Sequence, residues 1–192
     1  MRAAIHTILR SARAVAKSAQ LCALTSLAEG ADRIFAEEAV ALGYALICPL
    51  PFAQAEYEKD FHAPAALEAD SLMHFRAILQ SAREGSGLTV LELNGERHDA
   101  PQAYAAAGQA ILDRADLLVG VWDGGEAAGP GGTTDMLGQA LNRHIPVLCI
   151  DARAPERWAL LRSKHQLAPS HLRQEAGLEA AVAGLVGAIV IG

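Results

Sequence analysis

LLVGVWDGGEAAGPGGTT, residues 117–134, is the stretch whose reading decides the fold. It opens as an apolar run, passes through Trp122-Asp123, breaks into a loop of five glycines and one proline, and enters a helical pattern near Thr133-Thr134-Asp135. A buried strand, a glycine-rich turn and a helix start are the parts from which α/β proteins build phosphate and nucleotide sites. Glycines lack Cβ, so backbone N–H groups can come close to an anion. A helix start adds unpaired N–H donors and the positive end of its dipole. The same residues also read as a long surface loop whose glycines serve only the turn.

Working outward, strands and helices alternate. Residues 1–19 read as a helix with Ile5, Ile8, Leu9 and Val15 at helical spacing. LCALT (21–25) reads as a strand, Ala31–Leu42 as a helix with Ile34, Phe35, Ala39 and Leu42 on its apolar side, and ALICP (45–49) as the next strand. This βαβ unit calls for parallel strands. Residues 50–67 are irregular, mixing Phe52, Tyr57 and Phe61 with acids. A helix over 71–83, a strand over 88–93, a polar loop over 94–101 and a helix over 102–115 follow. After the opening strand come a helix over 133–142 and a strand over 146–150. A short helix over 155–162 and a final helix over 170–185 complete the series. The expectation is one domain over 1–192. Its fold class is α/β: a Rossmann-like doubly wound, mainly parallel sheet with helices on both faces.

Composition narrows the function. A net charge of −6 argues against a broad basic surface for nucleic acid. Cys22, Cys48 and Cys149 each fall in an apolar strand-like run, as reduced buried residues do, not as a disulfide framework. The seven histidines are scattered and no cysteine pair has zinc spacing, so no metal site and no cofactor is expected. No signal peptide is evident and the apolar end AAVAGLVGAIVIG is shorter than a membrane span, so a cytoplasmic location without membrane contact is expected. That end reads as a buried helix or strand, or as an oligomer contact that allows a homodimer.

Ligands of such sheets bind beyond the C-terminal ends of the strands. Those ends are Thr25-Ser26, Pro51-Phe52, Leu93-Asn94, Asp123-Gly124 and Asp151. Two lead through turns of small residues into helix starts, Ser26 to Asp32 and Gly129 to Asp135. The doubling points to a ligand with phosphate or ribose groups, a nucleotide-type small molecule. Thr133 and Thr134 carry hydroxyls suited to phosphate, and one of them equally suits the N-cap of its helix. Asp123 and Glu29 suit ribose hydroxyls or acid–base work, and Asp32 suits either that or a cap. Neither a P-loop lysine nor the dinucleotide fingerprint is present.

The segments TSLAEGADRIFAEEAVALGY (25–44) and ADLLVGVWDGGEAAGPGGTTDMLGQALNRHIPVLCI (115–150) resemble the SLOG superfamily. It joins DNA-processing protein A, the Lonely Guy phosphoribohydrolases and nucleotide-sensing domains. Bacterial SLOG proteins carry LAEGAD, PLPF, Tyr-Glu-x-Asp-Phe and VWDG with GGT, and all four stand here at 27–32, 49–52, 57–61 and 121–133. The resemblance implies a nucleotide-binding or nucleotide-sensing domain. Ser26, Glu29, Gly30 and Asp32 would line one side of the ligand. Asp123, Gly131, Gly132, Thr133 and Asp135 would line the other, with Pro51, Glu56 and Asp60 on a flanking loop. Two departures accompany it. The family's first strand, with its Thr-Gly-His-Arg-like turn, has no counterpart here. Lonely Guy enzymes use Pro-Gly-Gly-x-Gly-Thr-x-x-Glu, where this chain has the shorter Pro130–Asp135 run. Phosphoribohydrolase activity, with Asp135 or Glu29 as the catalytic carboxylate, is the enzymatic alternative. Single-stranded DNA binding is a third, against which the acidic balance and sparse aromatics argue.

Overall fold

The computed structural model describes residues 1–17, 19–62, 64–126, 129–172 and 176–191, with residue 191 described by its backbone alone. The chain is α/β and divides into two compact units, residues 19–111, and residues 1–18 together with 112–192. The strands pair as two three-stranded sheets, one in each unit.

In the unit of residues 19–111, β1 (Cys22–Leu24), β2 (Ala45–Leu50) and β3 (Leu88–Glu92) lie in that order and all parallel. The central strand β2 is the most buried of the three, with Leu46, Cys48, Pro49 and Leu50 enclosed, whereas the flanking strands keep exposed positions at Cys22, Thr89 and Glu92. Pairing of β1 with β2 stops at Leu24 opposite Ile47. Beyond it, the Ser26 hydroxyl donates to the Pro49 carbonyl at 2.8 Å and prolongs the contact between the two segments. Helices α2 (Ala31–Ala41), α4 (Ser71–Glu84) and α5 (Ala100–Leu112) complete the unit.

Helix α2 corrects the expected face. Its fully buried residues are Arg33, Ala36 and Ala39, whereas Ile34 and Phe35 are only partly covered. A guanidinium displaces the larger apolar groups because it finds carbonyl acceptors inside. Arg33 Nε donates to Leu27 O at 3.2 Å, and Nη1 to Ser71 O at 2.9 Å. Residues 50–67 are more ordered than expected, with a helical turn α3 (Gln54–Tyr57) running into a 3-10 turn, Glu58–Phe61. Phe52, Tyr57 and Phe61 are buried, and Tyr57, Phe61 and Phe75 meet edge-on or tilted at 4.9–5.9 Å. The aromatics of this connector thus serve the core. The polar loop over 94–101 likewise contains a 3-10 turn, Arg97–Asp99, before α5 begins at Ala100.

In the other unit, β4 (Leu118–Trp122) and β5 (Val147–Asp151) are parallel, and β6 (Trp158–Leu161) is antiparallel to β5. The helix expected over 155–162 is therefore a strand. Arg157 N donates to Ala154 O at 2.7 Å, which puts Pro155 second in a β-turn, where its fixed φ fits. The chain turns back on itself, and Trp158, Ala159 and Leu161 are buried against β5. Mixed sheets often carry one such antiparallel strand. Helix α6 (Thr133–Asn142) covers β4 and β5 with Leu137, Ala140 and Leu141. It lies so close that a Cβ at Gly120 would stand 2.5 Å from Leu137 Cδ2.

Helix α1 (Arg2–Ala16) lays Ile5, Ile8, Leu9, Ala12 and Ala16 against α7 (Leu178–Ile191), which contributes Val182, Leu185 and Val186. Burial of each large aliphatic side chain is worth roughly 1.5–3 kcal/mol. Helix α7 begins later than the expected 170 and runs through the apolar end, leaving Ile189 and Val190 on the surface. Residues 173–175 of the expected helix lie outside the described residues. Among the described residues, no helix is long and apolar enough to cross a membrane.

Candidate functional site

The glycine turn after β4 forms from a set of short internal bonds. Trp122 Nε1 donates to Gly125 O at 3.0 Å and to Thr134 Oγ1 at 2.9 Å. The Thr134 hydroxyl in turn donates to Gly125 O at 2.9 Å. Asp123 Oδ1 accepts from Gly125 N at 2.9 Å in an Asx turn. Gly124 takes φ 84°, a left-handed conformation that disfavours any Cβ, and a Cβ there would also stand 2.9 Å from Pro169 Cγ. Residues 127 and 128 of this turn lie outside the described residues.

At the helix start, neither threonine is the N-cap. That place belongs to Gly132, and no side chain caps the helix. Thr133 is the first helical residue and is exposed. The amides of Thr133, Thr134 and Asp135 precede the first intrahelical acceptor, since Met136 N is the one that donates to Gly132 O, at 2.9 Å. Asp135 reaches backward. Its Oδ2 accepts from Gly131 N and from Gln139 Nε2, each at 2.8 Å. Gly131, at φ 78°, can thus face its amide toward the helix. Chemically this is a set of first-turn amides ahead of the first intrahelical acceptor, the exposed hydroxyl side chain of Thr133, and a carboxylate that holds the turn in shape.

The turn between β1 and α2 is built differently. Thr25 is buried; its hydroxyl donates to Asp32 Oδ2 at 2.9 Å and accepts from Leu27 N at 3.1 Å. Gly30, at φ 91°, is the N-cap of α2, so Asp32 does not cap it. Burial raises the Asp32 carboxyl above the usual carboxylate range, against the Thr25 hydroxyl, the Ala28 amide and the Arg33 charge, which all favour the anion. Leu27 is fully buried yet takes φ 58°. Glu29 clasps residues 64–70. Its carboxylate accepts from Leu67 N at 3.1 and 3.0 Å and from Glu68 N at 3.2 Å. Partial burial works to raise its pKa, but the Ser71 hydroxyl, these two amides and Arg33 together bring it below the ordinary value.

Pro51, Glu56 and Asp60, the expected flanking loop, meet at a residue not anticipated from the sequence. Pro51 is buried, and its carbonyl accepts from Gly95 N at 3.2 Å. Arg97 Nε donates to Glu56 Oε1 at 2.9 Å, its Nη1 donates to Asp60, and its guanidinium lies 4.4 Å above the Phe52 ring. Asp60 also accepts from the Tyr104 hydroxyl. Lys59 and Arg97 hold Glu56 below the usual carboxylate range. Burial, with Asp60 alongside, pushes the Tyr104 phenol up to about 12.

Cys48 and Cys149 are buried as expected, and burial pushes both thiols up to about 12. Cys22 is exposed, which corrects the expectation for the third. Among the described residues, no cluster of His, Cys, Asp and Glu is placed to hold a metal ion. Arg33, Ser71 and Arg97, all prominent in these arrangements, carry no local signal in the sequence; each is recruited by partners far along the chain. No protein-family model matches the chain, and no curated protein sequence matches it.

Proposed function

We propose that the chain is a cytoplasmic nucleotide- or nucleotide-derivative-binding domain of the SLOG superfamily, with a Rossmann-like doubly wound architecture. The observation that carries this reading is the start of α6. A helix of ten residues follows a parallel strand through a glycine turn and begins on a glycine N-cap with no side-chain cap. Its first-turn amides and dipole attract an anion, and a phosphate there would take the place of the missing cap. The hydrogen bonds of Asp135 and of Trp122, Gly125 and Thr134 fix the shape of the turn, which keeps the ordering cost of binding low. Thr133 is the side chain best placed to add a hydroxyl contact.

In this reading Asp135 is a positioning residue, since its Oδ2 already accepts two hydrogen bonds. The test is a thermal-shift screen with mono-, di- and cyclic nucleotides, NAD and ADP-ribose, with the matching nucleosides as controls. A ligand at about 100 times its dissociation constant adds roughly 2.7 kcal/mol. Shifts with phosphorylated ligands and none with nucleosides support the proposal. An unmoved melting temperature across the whole panel refutes it. Free base released from a nucleoside monophosphate in the same samples would instead favour the phosphoribohydrolase reading.

A further inference from the structure

We propose that His74 is the pH-sensitive fastener of the strap formed by residues 64–70, holding it shut when the imidazole is protonated and loosening it when it is neutral. The geometry that carries this is the surroundings of one ring. His74 Nε2 lies 2.6 Å from Glu37 Oε1 on α2, and Nδ1 lies 3.3 Å from Glu68 Oε2 in the strap. A carboxylate only accepts hydrogen bonds. An imidazolium donates from both nitrogens and satisfies both contacts. A neutral imidazole has one N–H, so one nitrogen must turn a lone pair toward a carboxylate oxygen. The ring keeps the shorter contact with Glu37, and the contact with the strap is the one forfeited.

The other charged groups near the ring do not undo this. From α2, Arg33 Nη1 lies 3.7 Å from Glu68 Oε2 and draws the same carboxylate inward. From the β1–α2 turn, Glu29 holds the strap through the amides of Leu67 and Glu68. Toward the 58–61 turn, Glu58 is paired with Arg76 of α4 and makes no demand on His74. Leu67 is 87% exposed and adds no apolar anchor. Arg33 Nη2 is a buried donor without a hydrogen-bond partner, and opening the strap lets water reach it, so the closed state leans on its polar fastenings.

The test is hydrogen exchange of the Leu67 and Glu68 amides, corrected for intrinsic rates, across the range in which imidazoles change charge, about pH 5.5 to about pH 8. Protection should be lost as pH rises through that range. Amides of β2 should not change. His74→Gln should show low protection at every pH. Should that variant lose β2 protection and so fail to fold, Glu68→Gln takes its place, with the same expected loss of pH dependence. Protection that is level with pH in the parent, or a pH dependence that survives in the folded variant, overturns the proposal.

Discussion

Replacing Thr133 with glutamate should raise the stability of the free protein and lower its affinity for any phosphorylated ligand. Thr133 is exposed and is the first residue of α6, whose N-cap offers no side-chain acceptor. Asp135 is the only acid in the first turn, and its Oδ2 is already occupied by Gly131 N and Gln139 Nε2. A new carboxylate there interacts favourably with the helix dipole, by about 0.3–1 kcal/mol. For a chain of this size such a gain raises the melting temperature by about 1–4 °C. A bound phosphate would feel the opposite effect. Two unit charges about 4 Å apart repel by roughly 1 kcal/mol in water and roughly 4 kcal/mol at an effective dielectric of about 20. Affinity should therefore fall by between about fivefold and about a thousandfold, less steeply at high salt. Calorimetric titration of parent and variant with the best ligand from the screen, at two salt concentrations, measures it. Because stability and affinity move in opposite directions, a misfolded variant cannot imitate the result. Equal affinity of parent and variant would refute the placement of the anion at α6.

Three other outcomes are expected. Gly95→Ala should destabilise by at least about 1–3 kcal/mol, measured by urea unfolding, because the new Cβ would stand 2.2 Å from Pro51 O and 2.5 Å from Ala103 Cβ. Asp32 is raised above its unfolded value by burial, so its contribution is complete below the unfolded pKa and is lost as pH rises through the folded one. The stability of the parent relative to Asp32→Asn should therefore decline from acid toward neutral pH, and a flat difference would contradict the burial argument. Maleimide at neutral pH should label Cys22 alone in the native chain and all three cysteines after denaturation. Rapid native labelling of Cys48 or Cys149, whose thiols burial pushes up to about 12, would show that they are not enclosed.

What was legible in the sequence follows from the range of the forces involved. Thr133–Asn142 was readable to the residue because its boundaries are local, a glycine turn before it and a polar stop after. The strands were readable as short apolar runs. WALL at 158–161 was not, because a short apolar run behind a proline fits a helix start as well as a hairpin, and only the register with β5 decides between them. Arg33 was invisible for a related reason. A charged residue is assigned to the outer face of a helix unless its acceptors are known, and one of them, Ser71 O, lies 38 residues away. Of the candidate site, the backward reach of Asp135 to Gly131 is local chemistry. The meeting of Glu56 and Asp60 at Arg97, separated by 41 and 37 residues, exists only once the chain has folded.

Leu27 is pulled two ways, and the conflict limits what else could stand there. The left-handed backbone costs a residue with a Cβ about 1–2 kcal/mol, which glycine would recover. Glycine would also give up the apolar contact of a side chain with no exposed surface, worth roughly 1.5–3 kcal/mol. Asparagine accepts the conformation but brings an amide that must find partners in a dry setting. Valine and isoleucine pack well but are the residues least tolerant of positive φ. That leaves unbranched or γ-branched hydrocarbons of about this length. The turn that presents Glu29 and Gly30 is therefore pinned by a peg that can scarcely be exchanged, and its shape should outlast wide change in the surface around it.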